Sequence, residues 1–190
     1  MDSKEAIIQA TMDLISERGD HVEAITMRDI GKKSGVGLGL INYHFGSKEK
    51  LIEVCVERLI NGIIEKFQSI QENTKEMSPY ARLEYLGNIT LQYLFEHEAI
   101  SRISVLTDMQ TPKPTDNTNL TYRAYLPLVA ACRPDWDEET VKRKTFSLIT
   151  VMQQIFLRNG VASALLGVDL SSEQARKELH AKILHDIMEV

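Results

Sequence analysis

The stretch formed by residues 26–51 constrains the fold of this chain more than any other segment. Thr26 is an N-cap candidate, and Asp29 three residues later can return a hydrogen bond to the Thr26 amide, which predicts a helix over residues 27–33. Gly35 should end that helix, because a residue without Cβ tolerates the left-handed conformation that follows many helices. The segment therefore begins with a short helix that has a defined start and stop.

A second short helix is predicted from about Leu38 to Phe45. Ile41 and Phe45 are four residues apart and therefore share its buried face. Val36 is an apolar residue in the turn before it, and Ser47 caps a third helix after it. Two helices joined by a short glycine-containing turn predict a helix-turn-helix, whose second helix can lie in the major groove of DNA.

The charge of this segment favours a polyanionic partner. Five basic and two acidic side chains lie between residues 26 and 51, although the whole chain has a net charge of −5. Residues 1–50 as a whole carry no excess of positive charge, because they contain 7 basic and 8 acidic side chains. This balance supports the alternative of a protein that does not bind DNA. The local basic residues are Arg28, Lys32, Lys33, Lys48 and Lys50.

This segment resembles the tetracycline-repressor (TetR/AcrR) family of transcriptional regulators. The resemblance rests on Thr26, the turn Ser34-Gly35-Val36 and the run Ile41-Asn42-Tyr43-His44-Phe45-Gly46-Ser47-Lys48-Glu49. It is strong over about the first quarter of the chain and elsewhere rests on helix count and length. Gly37 departs from the family where Ser or Thr often caps the recognition helix, and Leu40 departs where a small polar residue often meets a base. The operator sequence therefore cannot be inherited from other members.

The resemblance places Tyr43 and Lys48 against DNA phosphates, a role that suits a hydroxyl, an ammonium and the amides of a helix N-terminus. His44 either contacts a phosphate or closes the end of its helix. Arg can hold guanine with two hydrogen bonds, Asn can do the same with adenine, and Leu can pack on a thymine methyl group. For Leu40 a core position is the alternative. The candidate DNA-binding residues are Thr26, Arg28, Leu38, Gly39, Leu40, Asn42, Tyr43, His44 and Lys48.

Apolar residues recur every three to four positions along the rest of the chain, and no alternating strand pattern competes. The sequence predicts an all-α fold of about nine helices, with a three-helix head containing the helix-turn-helix in residues 1–48. Residues 49–190 form the larger helical domain that, by the resemblance, binds ligand and dimerises. Pro127 predicts a kink in its helix, and Asn159-Gly160 predicts a helix end. The third helix carries a long stripe made of Leu51, Ile52, Cys55, Leu59, Ile63, Phe67 and Ile70.

Several other classes of protein are disfavoured. Cys55 and Cys132 lie 77 positions apart, so neither a disulfide framework nor a zinc site is expected. No stretch of 18 apolar residues and no signal peptide are visible, which favours a soluble, cytoplasmic protein without a membrane partner. His97, His180 and His185 lack the spacing of a metal site and are interpreted as solvated, so neither a cofactor nor an enzyme is predicted.

The last two long helices carry broad apolar stripes. These stripes form either the internal core or a four-helix bundle across a two-fold axis. The resemblance implies the second alternative and hence a homodimer. The candidate interface residues are Val141, Thr145, Ile149, Leu179, Ile183 and Ile187.

Aromatic and Met side chains cluster on the middle helices. Taken singly, each is best interpreted as a core residue; taken together, they suit a mostly apolar pocket with a few polar groups. The resemblance implies a small-molecule effector there. The candidate pocket residues are Tyr85, Ile89, Tyr93, Met109, Tyr122, Tyr125, Met152, Gln153 and Phe156.

These observations favour a ligand-responsive transcriptional regulator, a repressor, that binds a near-palindromic double-stranded DNA operator as a homodimer and is released by a small, mostly apolar effector. The alternative is a dimeric protein that binds a small molecule or a protein partner without binding DNA.

Overall fold

The computed structural model describes residues 2–189, and within that range all side chains except those of residues 20, 59 and 63–73. The described residues form ten α-helices, one short 3₁₀ helix and no strand, which confirms the predicted all-α fold. The elements are α1 (Ser3–Arg18), the 3₁₀ helix (Gly19–Ala24), α2 (Met27–Ser34), α3 (Leu38–Phe45), α4 (Lys48–Asn73), α5 (Pro79–Glu96), α6 (Glu98–Gln110), α7 (Asn117–Cys132), α8 (Glu138–Leu157), α9 (Asn159–Leu166) and α10 (Glu173–Met188).

The one helix beyond the nine expected is α9. Asn159-Gly160 was expected to end a helix, and α8 does end just before it, at Arg158 with φ −115° and ψ 30°. The chain then resumes helical geometry at once, because a break of one residue does not prevent a new helix from starting. Gly167 ends α9 in the left-handed conformation.

The chain divides into two compact units. The first contains the residues up to Ile64 together with His97–Ser104, and the second contains Glu65–Glu96 together with the residues from Val105 onward. The functional division predicted at residue 48 stays a prediction. Of the long apolar stripe predicted on α4, Leu51 and Cys55 are buried. The side chains of Leu59, Ile63, Phe67 and Ile70 lie outside those that the structure describes.

The core of the first unit lies where α1, α2 and α3 meet the first turns of α4. A double hydrogen bond joins the Glu5 carboxylate on α1 to the Arg58 guanidinium on α4, with Nη2 to Oε2 at 2.7 Å. This contact links α1 to the third turn of α4. The buried apolar side chains of this core are Ile7, Ile8, Ala10, Leu14, Ile15, Ile25, Ile30, Ile41, Phe45, Leu51 and Cys55.

The core of the second unit is formed by α5, α7, α8 and α10. Tyr125 is completely buried there, and its hydroxyl lies 2.7 Å from the Thr90 hydroxyl, so its one polar atom is satisfied inside the protein. The kink predicted at Pro127 stays a prediction; the proline lies within α7, which continues to Cys132. The central buried residues include Leu83, Leu86, Leu91, Tyr125, Val129, Val141, Leu148, Ile149, Met152 and Leu184.

His180 on α10 packs directly against Gly87 on α5. A Cβ added to Gly87 would lie 2.2 Å from both Cε1 and Nε2 of the His180 ring. His180 was interpreted as solvated, and that interpretation is wrong: the side chain is buried, and its Nδ1 lies 3.0 Å from Asn88 Oδ1. Burial lowers the pKa of His180 to about 4, so the ring is neutral near pH 7. Because an amide oxygen only accepts, the proton lies on Nδ1.

Neither a membrane span nor a metal cluster is found in the part of the chain that the structure describes. None of its helices combines the length and the apolar character needed to cross a lipid bilayer. No three His, Cys, Asp or Glu side chains of the described residues are grouped so that they could hold a metal ion.

The contact between Gly87 and His180 yields a prediction about stability. Gly87→Ala should lower the free energy of unfolding by about 1 to 3 kcal/mol, because the new methyl group forces the buried ring or the helix to move. Urea unfolding followed by circular dichroism measures this loss. Gly160→Ala is the matched control, since no atom lies within 4 Å of the Cβ it would add, and it should leave stability unchanged or slightly raised. Equal midpoints for both variants would contradict the tight packing.

Candidate nucleic-acid interface

The predicted capping box at the start of α2 is confirmed. The Thr26 hydroxyl accepts a hydrogen bond from the Asp29 amide at 3.1 Å, and the Asp29 carboxylate accepts one from the Thr26 amide at 3.0 Å. The Thr26 hydroxyl also donates to that carboxylate at 2.7 Å, and these hydrogen bonds lower the pKa of Asp29. The hydroxyl proton of Thr26 is therefore engaged within the box, which fixes where α2 begins.

The turn between α2 and α3 has the predicted geometry. Gly35 follows α2 with φ +70° and ψ 14°, the left-handed conformation that ends the helix. Gly37 then occupies the N-cap position of α3 in an extended conformation and supplies no side-chain hydrogen bond. The first amides of α3 are therefore not covered by a capping side chain.

Helix α3 has one buried face and one open face. Ile41 and Phe45 are buried, as predicted from their spacing, and α3 packs on α1 and α2. Tyr43 on the opposite face is 82% exposed. Leu38 and Leu40 are 40% and 42% exposed, which removes the core alternative for Leu40. Gly39 and Asn42 are exposed as well.

His44 and Lys48 are held by contacts within the first unit. His44 Nε2 lies 3.4 Å from the Ser3 hydroxyl on α1, which ties the end of α3 to α1. The Lys48 ammonium donates to the backbone carbonyl of Glu23 at 2.9 Å, a contact between residues 25 positions apart that no local sequence pattern signals. An ammonium has three donors, so Lys48 keeps two for another partner. Ser47 caps α4 by accepting from the Lys50 amide at 3.2 Å.

The five basic residues of the segment are not equivalent. Lys33 pairs with Glu17 at 2.5 Å, and Lys50 pairs with Glu53 at 2.6 Å. Arg28 and Lys32 on α2 are exposed and make no ion pair among the described side chains. Arg28 and Lys32 therefore leave an unpaired positive charge on α2, the helix that precedes α3.

The predicted pocket residues all lie on helices of the second unit, in three different environments. Tyr93, Tyr125, Met152 and Phe156 are buried, whereas Tyr85 and Met109 are exposed. Partly buried are Ile89, Tyr122 and Gln153.

Gln153 belongs to a polar chain that sequence analysis missed. It donates to the Thr118 hydroxyl at 2.9 Å, and Thr118 donates to the Asp108 carboxylate at 3.0 Å. Burial raises the pKa of Asp108, while its hydrogen bonds from Thr118 oppose that shift. The three residues lie on separate helices, so no spacing in the sequence relates them.

The predicted interface residues are mostly occupied within their own chain. Val141, Thr145 and Ile149 are buried, and Thr145 donates to the Val141 carbonyl at 2.8 Å. Partly buried are Leu179, Ile183 and Ile187. The apolar side chains that α8 and α9 do expose were missed: Phe146, Val161, Leu165 and Leu166.

Residues 7–55 match the family described as bacterial regulatory proteins, tetR family. The HTH-type transcriptional repressor Rv3405c of Mycobacterium tuberculosis is 43% identical over 54 residues, which cover 28% of each chain. The HTH-type transcriptional regulator SAR0097 of Staphylococcus aureus is 33% identical over 93 residues, or 49% of this chain and 47% of that one. These alignments span about half or less of the relatives' own length. The family match at residues 7–55 includes both α2 and α3.

Two solved structures share the fold over nearly the whole chain. A TetR-like transcriptional regulator from Rhodococcus sp. RHA1 has a TM-score of 0.68 at 15% identity, covering 96% of this chain and 93% of that one. The dihydroxyacetone kinase operon activator DhaS has a TM-score of 0.53 at 14% identity, with 99% and 95% covered. The chain therefore matches the tetR family of bacterial regulatory proteins over residues 7–55, and as a whole it shares its fold with these two solved structures.

Proposed function

We propose that this protein is a ligand-responsive transcriptional repressor that binds operator DNA as a homodimer. The observation that supports it best is the open face of α3, which follows the unpaired cations of α2 in a helix-turn-helix with a complete capping box on α2 and a buried core. Relatives of the matched segment carry regulator and repressor names, and none of the relatives reported above is an enzyme.

Residues at the edge of the open face of α3 are proposed to contact the DNA phosphates. Tyr43 is 82% exposed, and Lys48 has two free donors after its bond to the Glu23 carbonyl. His44 is half-buried and turned toward Ser3, so its contribution is to hold the end of α3 as well as to approach a phosphate. Such contacts fix the register of a protein on DNA without reading its sequence.

Arg28 on α2 and the exposed residues of α3 are proposed to contact the DNA bases. Arg28 is unpaired among the described side chains, so its guanidinium is available for a guanine edge. Asn42 offers an amide for adenine. Thr26 marks the start of α2 and contributes to DNA binding through its position, since its hydroxyl proton is engaged by Asp29.

DNA binding is tested with fluorescently labelled duplex from the region flanking the gene of this protein. Lys48→Ala should weaken binding to every duplex and reduce the salt slope by about one unit, because one phosphate contact releases fewer counterions. Lys50→Ala is the matched control, since that ammonium is paired with Glu53, and it should bind nearly as the unaltered protein does. Arg28→Ala or Asn42→Ala should relax preference at one base pair by about 1 to 3 kcal/mol.

Two results would count against this part of the proposal. An equal loss on all duplexes for Arg28→Ala would reassign that residue to the phosphate backbone. Failure of the unaltered protein to bind any duplex at low salt would favour a dimeric protein that binds a small molecule or a partner without DNA.

Dimerisation is proposed through the outer faces of α8 and α9. Phe146 and Leu165 are 65% and 77% exposed, and Val161 and Leu166 on α9 are exposed as well, so these two helices present a group of apolar side chains that a partner could cover. A two-fold axis through such a surface presents two copies of α3, and one DNA turn requires them about 34 to 36 Å apart.

The dimer is tested by sedimentation velocity. The unaltered chain should sediment as a dimer, and Phe146→Glu and Leu165→Glu should shift it toward monomer, because each places a charge in the apolar contact. Leu120→Glu is the control, since Leu120 is an exposed apolar residue on α7, outside the proposed surface. A dimer that persists in both test variants would move the interface elsewhere.

The effector is proposed to be small and mostly apolar and to bind among the aromatic and Met side chains of the second unit. Helix α4 follows α3 in the chain and is shared between the two units, so it is the element on which both DNA and effector can act. A ligand shifts the equilibrium between two conformations only by its differential affinity for them.

The two-state mechanism is tested on crystals of the dimer grown with and without an effector identified by thermal-shift screening of small apolar compounds. The distance between the two α3 helices should differ, with the effector-bound form unable to fit two successive major grooves. Identical separation in both crystals, together with effector-induced release from DNA, would rule out this mechanism and leave DNA binding intact.

A further inference from the structure

The composition of α3 limits which bases it can read. Helix α3 contains no Arg, Lys, Gln, Asp or Glu. In the major groove, guanine is recognised mainly by Arg or Lys and cytosine by Asp or Glu. The polar side chains of α3 are Asn42, Tyr43 and His44, of which His44 is turned toward Ser3. Asn pairs with adenine, and leucine packs on the methyl group of thymine.

The arrangement of these residues follows from the helix period of about 100° per residue. Gly39 and Tyr43 lie opposite the buried pair Ile41 and Phe45, so they mark the centre of the open face. Leu40 lies on one flank of Gly39. Asn42 lies on the other flank, and Leu38 lies beyond it at the edge of the buried face, with its Cδ2 3.8 Å from the position of a Cβ on Gly31 of α2.

The centre of the open face of α3 is a notch, a depression that exists because Gly39 has no side chain. No atom of the protein lies within 4 Å of the Cβ that Gly39 lacks, and the N-cap residue Gly37 is equally open. A base edge can therefore approach the backbone of α3 between the exposed leucines. Close approach matters here because a methyl contact contributes only when water is excluded from both surfaces.

We propose that α3 of this chain reads A·T base pairs, with Leu38 and Leu40 packing on thymine methyl groups and Asn42 bonding to adenine. Guanine recognition is left to Arg28 on α2. This inference rests on the proposed function, since it specifies the class of operator that the helix-turn-helix binds.

The experiment begins with duplexes selected from a random-sequence library by the full-length protein at low ionic strength. Each thymine of the selected duplex is then replaced singly by deoxyuridine, which removes the methyl group and keeps the base-pairing edge. Affinity should fall about fourfold at each contacted thymine, the effect expected for burying one methyl-sized group. At least one such position should occur in each half-site.

Variants assign the contacts to residues. Leu40→Ala should abolish the deoxyuridine penalty at one position of the half-site, and Leu38→Ala should abolish it at another. Leu40 lies away from the buried face, so truncating it leaves the core intact. Leu38 lies close to Gly31 of α2, so the melting temperature of Leu38→Ala is measured beside its affinity. Gly39→Ala should raise the melting temperature, because alanine favours the helix, and yet weaken binding to the selected duplex, because its methyl group fills the notch.

The outcomes separate this inference from the function on which it rests. If a duplex is selected but every deoxyuridine substitution stays within twofold, the methyl readout is wrong while DNA binding stands. The same holds if the penalties survive in both leucine variants, because they would then arise from DNA shape. If no duplex is selected at all, the proposed function fails, and this inference fails with it.

Discussion

Burial of Ile41 and Phe45 is the constraint on which the first unit depends. Two side chains one helical turn apart fix the rotation of α3 about its own axis, because only one orientation places both in the core. That orientation determines that Gly39 and Tyr43 face outward and that Leu40 and Asn42 flank them. The capping box of α2 and the left-handed Gly35 set the angle at which α3 leaves the turn. The set of side chains that α3 exposes is therefore a consequence of packing on the opposite face.

The features that could be predicted from sequence are those whose cause is local. The Thr26–Asp29 box, the helix stop at Gly35 and the Ser47 cap each arise between residues at most three positions apart, and all are present. The long apolar stripes also allowed the main helices to be predicted, because apolar residues at every third or fourth position indicate a helix with one buried face. Helix α9 was missed because its apolar residues remain exposed, so it shows no buried stripe.

The features that could not be predicted depend on residues far apart in the chain. His180 looks like a surface residue in sequence, and only Gly87, 93 positions earlier, creates the space in which its ring is buried. A stripe on α8 could not distinguish the core of the chain from an interface with a second copy. The structure assigns Val141, Thr145 and Ile149 to the core and leaves Phe146 outside. The polar chain of Asp108, Thr118 and Gln153 joins three helices and has no signature in any of them.

The construction of α3 has a consequence for the free protein. The helix is only eight residues long, its N-cap carries no side chain, and Gly39 favours the helix less than alanine would by about 1 kcal/mol. Two buried anchors thus hold a segment that has little tendency of its own to stay helical. Its amide protons should exchange with deuterated solvent faster than those of α1, whose stripe of buried residues is longer. In the function proposed above, bound DNA would slow that exchange, so the stability of α3 would depend on the duplex as well as on Ile41 and Phe45.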